Sequence, residues 1–257
     1  MMKFVDTHTH VSDEAFAGDS DGFVERALAA GVGKMLLADI DSRERPAMLE
    51  AADRHPGVLY PMIGLYPGSV DRDWRHEIEL MLKAAEGRRF AAMGEIGLDY
   101  HFSKEFAAQQ REALRTQFEL ATEMNLPVNI HLRDATEDFF SILDSCKHLG
   151  LRGNLHAFSG SYETFLRISR YGDWRIGVGG VVTFKNAGLA EVVKKVPLER
   201  ILLETDAPYM APVPLRGTRN ESANIPVIAA KIAELKGVGI DEVAAVTTDN
   251  ASKLFSI

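Results

Sequence analysis

His8 and His10 stand one residue apart directly after the apolar pair Phe4-Val5, in the run Asp6-Thr7-His8-Thr9-His10. In an extended strand, residues two apart share a face, so both imidazoles can converge on one small object, and a metal ion is the obvious one. A lone H-x-H reads equally well as two solvated or hydrogen-bonded histidines near a terminus, because imidazole serves many purposes. The metal reading therefore needs further nitrogen and oxygen donors at comparable positions. Four are present: Glu95, His131, His156 and Asp206 each end or closely follow an apolar run. Six such groups exceed the three protein ligands and one water of a catalytic zinc. Two divalent ions fit the count, with His8, His10 and Asp206 on one, His131 and His156 on the other, and Glu95 bridging them. Two ions about 3.5–4 Å apart polarise a phosphoryl oxygen and activate water near neutral pH, so the implied chemistry is metal-assisted hydrolysis.

Asp206, in Glu204-Thr205-Asp206-Ala207-Pro208, is the expected general base beside such a water, its alternative role being a cap on the following turn. Glu204 alternates to the opposite strand face and is expected in a salt bridge or helix contact. His55, His76 and His148 fall in helices or loops and read as solvated, whereas His101, just beyond Asp99-Tyr100, reads as a supporting or substrate contact.

The elements that must position these groups alternate along the chain. Eight apolar, β-type runs cover 3–6, 34–39, 58–64, 90–95, 127–131, 151–156, 174–178 and 200–204. Segments of helical spacing cover 22–30, 43–54, 76–86, 105–125, 137–149, 162–171, 187–195, 226–236 and 240–255. Asp39-Ile40-Asp41-Ser42 and Ser103-Lys104-Glu105 suit helix starts, and Gly31 and Gly87 suit helix stops. Short strands alternating with helices imply βαβ units and a parallel sheet, and eight of them in 257 residues close most economically as a single-domain (β/α)8 TIM barrel. In that fold the active site lies at the carboxyl ends of the strands, where all six candidate ligands fall. The irregular stretch 211–224, after the eighth run, is the expected functional loop.

Apolar residues make up 46% and charged residues 26% of the chain, the balance of a folded, soluble protein. The amino-terminal stretch lacks the apolar core of a secretory signal and no run is long enough to span a bilayer, so a cytoplasmic monomer without a membrane partner is expected. The single cysteine, Cys146, lies in a helical pattern and reads as a buried, unreactive thiol. A net charge of −8 argues against a long basic groove tracking nucleic acid. If the substrate is a phosphodiester, contact is brief or end-on, with positive charge supplied by metal and a few arginines.

The motifs D-T-H-T-H at 6–10, G-E-I-G-L-D-Y at 94–100, P-V-N-I-H-L-R-D-A at 127–135, H-A-F-S-G at 156–160 and E-T-D-A-P-Y at 204–209, followed by A-P-V-P-L-R-G-T-R-N-E at 211–221 and the terminal T-T-D-N-A-S-K-L-F, resemble the TatD family of metal-dependent deoxyribonucleases. The resemblance covers essentially the whole chain. It implies a barrel hydrolase of the amidohydrolase-like superfamily acting on DNA, single-stranded or at 3′ ends, with 3′–5′ exonuclease activity and two divalent ions, Mg²⁺ or Mn²⁺ for activity and Zn²⁺ in crystals. Position by position it assigns the metal to His8, His10, Glu95, His131, His156 and Asp206, with Glu95 and Asp206 also catalytic.

Arg133, Arg216 and Arg219 are candidate phosphate contacts, since guanidinium grips phosphate bidentately, although Arg219 reads equally as a surface ion pair. One position departs from the family: where many members carry G-x-H-P, this chain has Gly64-Leu65-Tyr66-Pro67. Tyr66 can donate a hydrogen bond or stack on a base but cannot carry imidazole's charge. The rival reading is an amidohydrolase or aminoacyl-tRNA deacylase using the same metal-activated water.

Overall fold

In the computed structural model residues 4–257 are described, so Lys3, read as the start of the first strand, lies outside them. Eight strands alternate with helices: β1 (Phe4–Thr9), α1 (Ser20–Ala29), β2 (Val32–Leu37), α2 (Arg45–Arg54), β3 (Leu59–Pro61), α3 (Trp74–Ala85), β4 (Met93–Asp99), α4 (Ala107–Glu123), β5 (Val128–Arg133), α5 (Thr136–Ser145), β6 (Gly153–Leu155), α6 (Tyr162–Ile168), β7 (Trp174–Val178), α7 (Leu189–Lys195), β8 (Ile201–Leu203), α8 (Ile225–Lys236) and α9 (Ile240–Phe255). The strands pair in parallel as β1-β2-β3 and as β4-β5-β6-β7-β8. Single parallel bridges, Thr9 with Ala207 and Ile63 with Met93, join the two sheets. The chain adopts the α/β TIM-barrel architecture that the alternation predicts.

Outward-facing strand residues such as Met35, Leu37, Ile96, Leu98, Ile130 and Ile176 are fully buried and cluster with Phe23, Met48, Leu114, Phe118, Phe139 and Ile228 from the helices. Each such side chain contributes about 1.5–3 kcal/mol on burial, which holds the helices against the strands. A second cluster joins Val5, Leu36 and Leu202 of the strands, with Met62 just after β3, to Ala251, Leu254 and Phe255 of α9. No helix among the described residues is long and apolar enough to cross a membrane.

Element boundaries shift in ways that matter for the site. β1 continues through His8 to Thr9, and β4 continues past Glu95 to Asp99 with a shift in its register against β5 between Met93 and Ile96, where Gly94 and Glu95 lie. Gly97 is required: its φ is +151°, and a Cβ would stand 1.9 Å from the His131 carbonyl oxygen. β3, β6 and β8 are only three residues long, so His156 and Asp206 sit on the loops just beyond their strands. The expected caps build turns ahead of their helices instead. Asp41 accepts a bond from Arg43 N at 2.9 Å and Ser103 from Glu105 N at 3.1 Å, while α2 and α4 start later with no side-chain cap. Cys146 is a buried free thiol at the end of α5.

Candidate metal centre

The strand ends bring His8, His10, Glu95, His131, His156 and Asp206 together. The Glu95 carboxylate lies between the imidazoles: Oε1 is 2.8 Å from both His131 Nδ1 and His156 Nε2, and Oε2 is 3.3 Å from His8 Nε2 and 3.7 Å from His10 Nε2. Asp206 Oδ1 approaches His10 Nε2 at 3.3 Å and His8 Nε2 at 3.7 Å. Asp206 reaches this position because its backbone is left-handed (φ 56°), a conformation that aspartate tolerates better than most residues, while its N–H donates to the His8 carbonyl. Three overlapping triads, His8/His10/Glu95, His8/His156/Asp206 and Glu95/His131/His156, each have one donor atom per residue within 4.8 Å of the others. His8 therefore faces both halves of the cluster, and its ring stacks on that of His156 at 3.8 Å.

The two carboxylates of the cluster are held ionised. Burial raises the Glu95 carboxyl, but the charges of His156 and His8 and bonds to His131 and His156 outweigh it and hold the group well below the usual carboxylate range. Burial likewise raises Asp206, and the bond from His10 with the charges of His8, His156 and His10 reverses the sign. Burial, reinforced by the charge of His8, pushes His156 down to about 4. His131 goes the other way, to about 9: burial lowers it, and its bonds to Asp99 and Glu95 prevail. His8 Nε2 and His10 Nε2 stand only 3.2 Å apart in this buried pocket, within hydrogen-bond distance of one another. The donor set of imidazole nitrogens and carboxylate oxygens fits a transition-metal or zinc ion well and magnesium less so.

Supporting groups that the sequence reading did not single out fix the rings. Asn129 Oδ1 accepts from His8 Nδ1 at 2.9 Å, leaving His8 Nε2 free for the centre, and Asp99 Oδ2 pairs with His131 Nε2 at 2.9 Å, leaving Nδ1. Asn129 lies two residues before His131, so strand alternation was a signal for it. Buried Asp6 accepts from Thr205 N at 3.0 Å and Ser222 Oγ at 2.6 Å, tying β1 to the loop after β8. Burial, only partly offset by those bonds, pushes its carboxyl up to about 6.

Glu204 needs correction. It makes no ion pair with lysine or arginine among the described residues; it is fully buried, accepts a bond from Ala157 N, and lies 4.0 Å from His156 Nδ1. Burial, together with the charges of Asp206, Asp6 and Glu95, raises its carboxyl well above the usual range. The sequence pattern could not show that Glu204 would sit beside His156 and the Ala157 amide.

Of the other candidates, Tyr66 touches the centre directly. Tyr66 packs edge-on against His131 with ring centroids 5.2 Å apart. Burial and the charges of Glu95, Asp99 and Asp206 raise its phenol, so it stays protonated. Arg133 lies over the Phe102 ring at 5.1 Å and Arg216 over Phe184 at 4.3 Å. His101 pairs with Asp134 at 2.8 Å, outside the cluster. Arg219 is engaged with Asp19 at 2.6 Å and Glu221 at 2.7 Å, which gives it a structural role in place of a phosphate contact. His55 pairs with Asp21 at 2.8 Å and His76 with Glu79 at 3.4 Å, both away from the site.

The sequence pattern described as TatD related DNase matches residues 5–256. The chain belongs to the TatD-related DNase family. Among curated relatives, the uncharacterized metal-dependent hydrolase YabD of Bacillus subtilis is 37% identical over 253 residues, 98% of each chain. The 3′-5′ ssDNA/RNA exonuclease TatD of Erwinia tasmaniensis is 33% identical, covering 98% of this chain and 99% of that one. The crystal structure of the TatD homologue YjjV of Escherichia coli superposes with a TM-score of 0.92 at 32% identity, covering 99% of this chain and 98% of that chain. These TatD relatives and the cluster together make the chain a metal-dependent hydrolase with a candidate metal-binding site.

Proposed function

We propose that this chain is a divalent-metal-dependent 3′–5′ exonuclease that cleaves phosphodiester bonds of single-stranded DNA, with one ion on each side of Glu95. The observation that carries the reading is the division of the Glu95 carboxylate, one oxygen facing His131 and His156 and the other facing His8 and His10. The substrate class draws on the exonuclease named among its relatives. When bound, divalent ions in such a site lower the pKa of water and stabilise charge on phosphoryl oxygens.

The chain's own residues then have defined tasks. Asp206, with 19% of its side chain exposed and kept ionised by its histidine neighbours, takes the proton of the attacking water. Tyr66 keeps its hydroxyl proton and donates it as a hydrogen bond to a substrate oxygen, where many relatives carry an imidazole. Arg133 and Arg216, both exposed, bind phosphates of the strand, and His101, held by Asp134, contacts it from the loop after β4.

Purified protein with Mn²⁺ or Mg²⁺ should shorten 5′-labelled single-stranded DNA from its 3′ end. Glu95→Gln and Asp206→Asn should each lower kcat by at least about 100-fold, the scale of acid–base loss, with an unchanged circular dichroism spectrum. A variant that stays fully active removes that residue from the mechanism. Absence of cleavage with every divalent ion, combined with turnover of an amide or aminoacyl ester, replaces the nuclease reading.

A further inference from the structure

Phe102 is 85% exposed, more than any other large apolar side chain among the described residues, and it stands in the loop between β4 and α4 at the mouth of the barrel. The backbone just before it is anchored. Asp99 Oδ2 holds the metal-site residue His131 at 2.9 Å while Asp99 Oδ1 accepts from His101 N at 2.8 Å, so the residue before Phe102 is tied to the carboxylate that orients His131. The His101 ring meets Phe102 edge-on at 4.8 Å and is itself held by Asp134.

Arg133 completes the surface. It pairs in register with Asp99 across β4 and β5, shares the strand face of His131, and lays its guanidinium over Phe102. Arg43, Arg26 and Arg219, by contrast, are bound to carboxylates, whereas Arg133 has no such partner among the described residues. Beyond His10 the rim is acidic: Glu44 acts on His10, and Asp13 accepts from the Tyr209 hydroxyl at 2.7 Å. Arg133 therefore offers a polyanion leaving the centre a positive charge that no carboxylate ion pair holds among the described residues.

We infer that Phe102 and Arg133 form a stacking platform for an unpaired nucleobase next to the scissile phosphate, with Phe102 offering its face to the base and Arg133 its charge to the adjoining phosphate. The inference rests on the nuclease reading above and deepens it, because only a single strand can turn a free base face onto an exposed ring.

The test uses the whole protein with Mn²⁺, a single-stranded thymidine oligonucleotide, and the same oligonucleotide made abasic at its terminal nucleotides. Phe102→Ala should raise KM on the normal oligonucleotide by roughly 5- to 100-fold, the stacking scale for one base, with kcat nearly unchanged. Phe102→Trp should behave like wild type, and on the abasic oligonucleotide wild type and Phe102→Ala should coincide. An unchanged KM for Phe102→Ala on the normal strand, or an equal rise on the abasic one, overturns the platform while leaving the nuclease reading intact. If wild type cleaves neither oligonucleotide with any divalent ion, both fall together.

Discussion

At the scale of single residues, the centre depends on groups that never touch substrate. Asn129 Oδ1 is the partner of the buried His8 Nδ1, so Asn129→Ala leaves a polar ring nitrogen unpaired and the ring free to turn. Loss of such an orienting partner costs about 10- to 100-fold in metal affinity, and calorimetric titration of the metal-free protein with Mn²⁺ should show a drop of that size. Unchanged affinity would mean that packing alone orients His8. Gly177 makes a parallel case in packing: a Cβ there would lie 1.9 Å from Glu204 Oε2, whereas at Gly179 the nearest atom would be an ordinary 3.5 Å away. Gly177→Ala should therefore destabilise by about 1–3 kcal/mol in urea unfolding, the scale of overpacking, while Gly179→Ala should be near neutral. The clustering of the six candidate residues was legible in the sequence because metal chemistry uses few residue types and strand ends are easy to find. Asp99 and Glu204 were not, since their roles depend on which buried atom faces which ring, a relation between strands that one strand's pattern does not carry.

At the scale of elements, the loop after β8 is pinned to α1 and β1, which explains why a long irregular segment can hold Asp206 in place. Asn220 donates to the Thr205 and Tyr209 carbonyls at 2.8 and 2.7 Å, and Ser222 donates to Asp6. On the outside, Arg26 and Arg219 bridge Asp19 and Glu221. Hydrogen bonds from Arg26 and then Arg219 hold the Asp19 carboxyl down at about 2. A depressed carboxylate contributes stability that is complete above its unfolded value of about 3.9 and is lost as pH falls through the folded one. The urea-midpoint gap between wild type and Asp19→Asn should thus be constant from neutral pH to about 4, narrow below it, and shrink in high salt at any pH. A gap independent of pH would show that the pair is idle. The alternation of strand and helix was readable in sequence, but this loop was not: its anchors are single polar residues bonded to backbone nearly 200 positions away, such as Thr205 N to Asp6.

At the scale of the whole molecule, five of the eight strands deliver carboxylates and imidazoles to one end of the barrel, and folding must bury them close together in a chain of net charge −8. Concentrating unsatisfied donors costs stability unless a cation binds, so metal affinity and fold stability are linked. A ligand present at about 100 times its dissociation constant adds about 2.7 kcal/mol. For a domain of this size that corresponds to a rise in Tm of roughly 5–10 °C. Scanning fluorimetry should therefore show wild type melting higher in Mn²⁺ than in EDTA by that order. Glu95→Gln, which lies in two of the three triads and replaces a carboxylate oxygen by an amide, should lose most of the shift, while Phe102→Ala, at the rim, should keep it. Equal melting of wild type in Mn²⁺ and EDTA would separate the cluster from metal binding altogether. A shift retained in Glu95→Gln would mean that the histidines and Asp206 hold the ion without the central carboxylate.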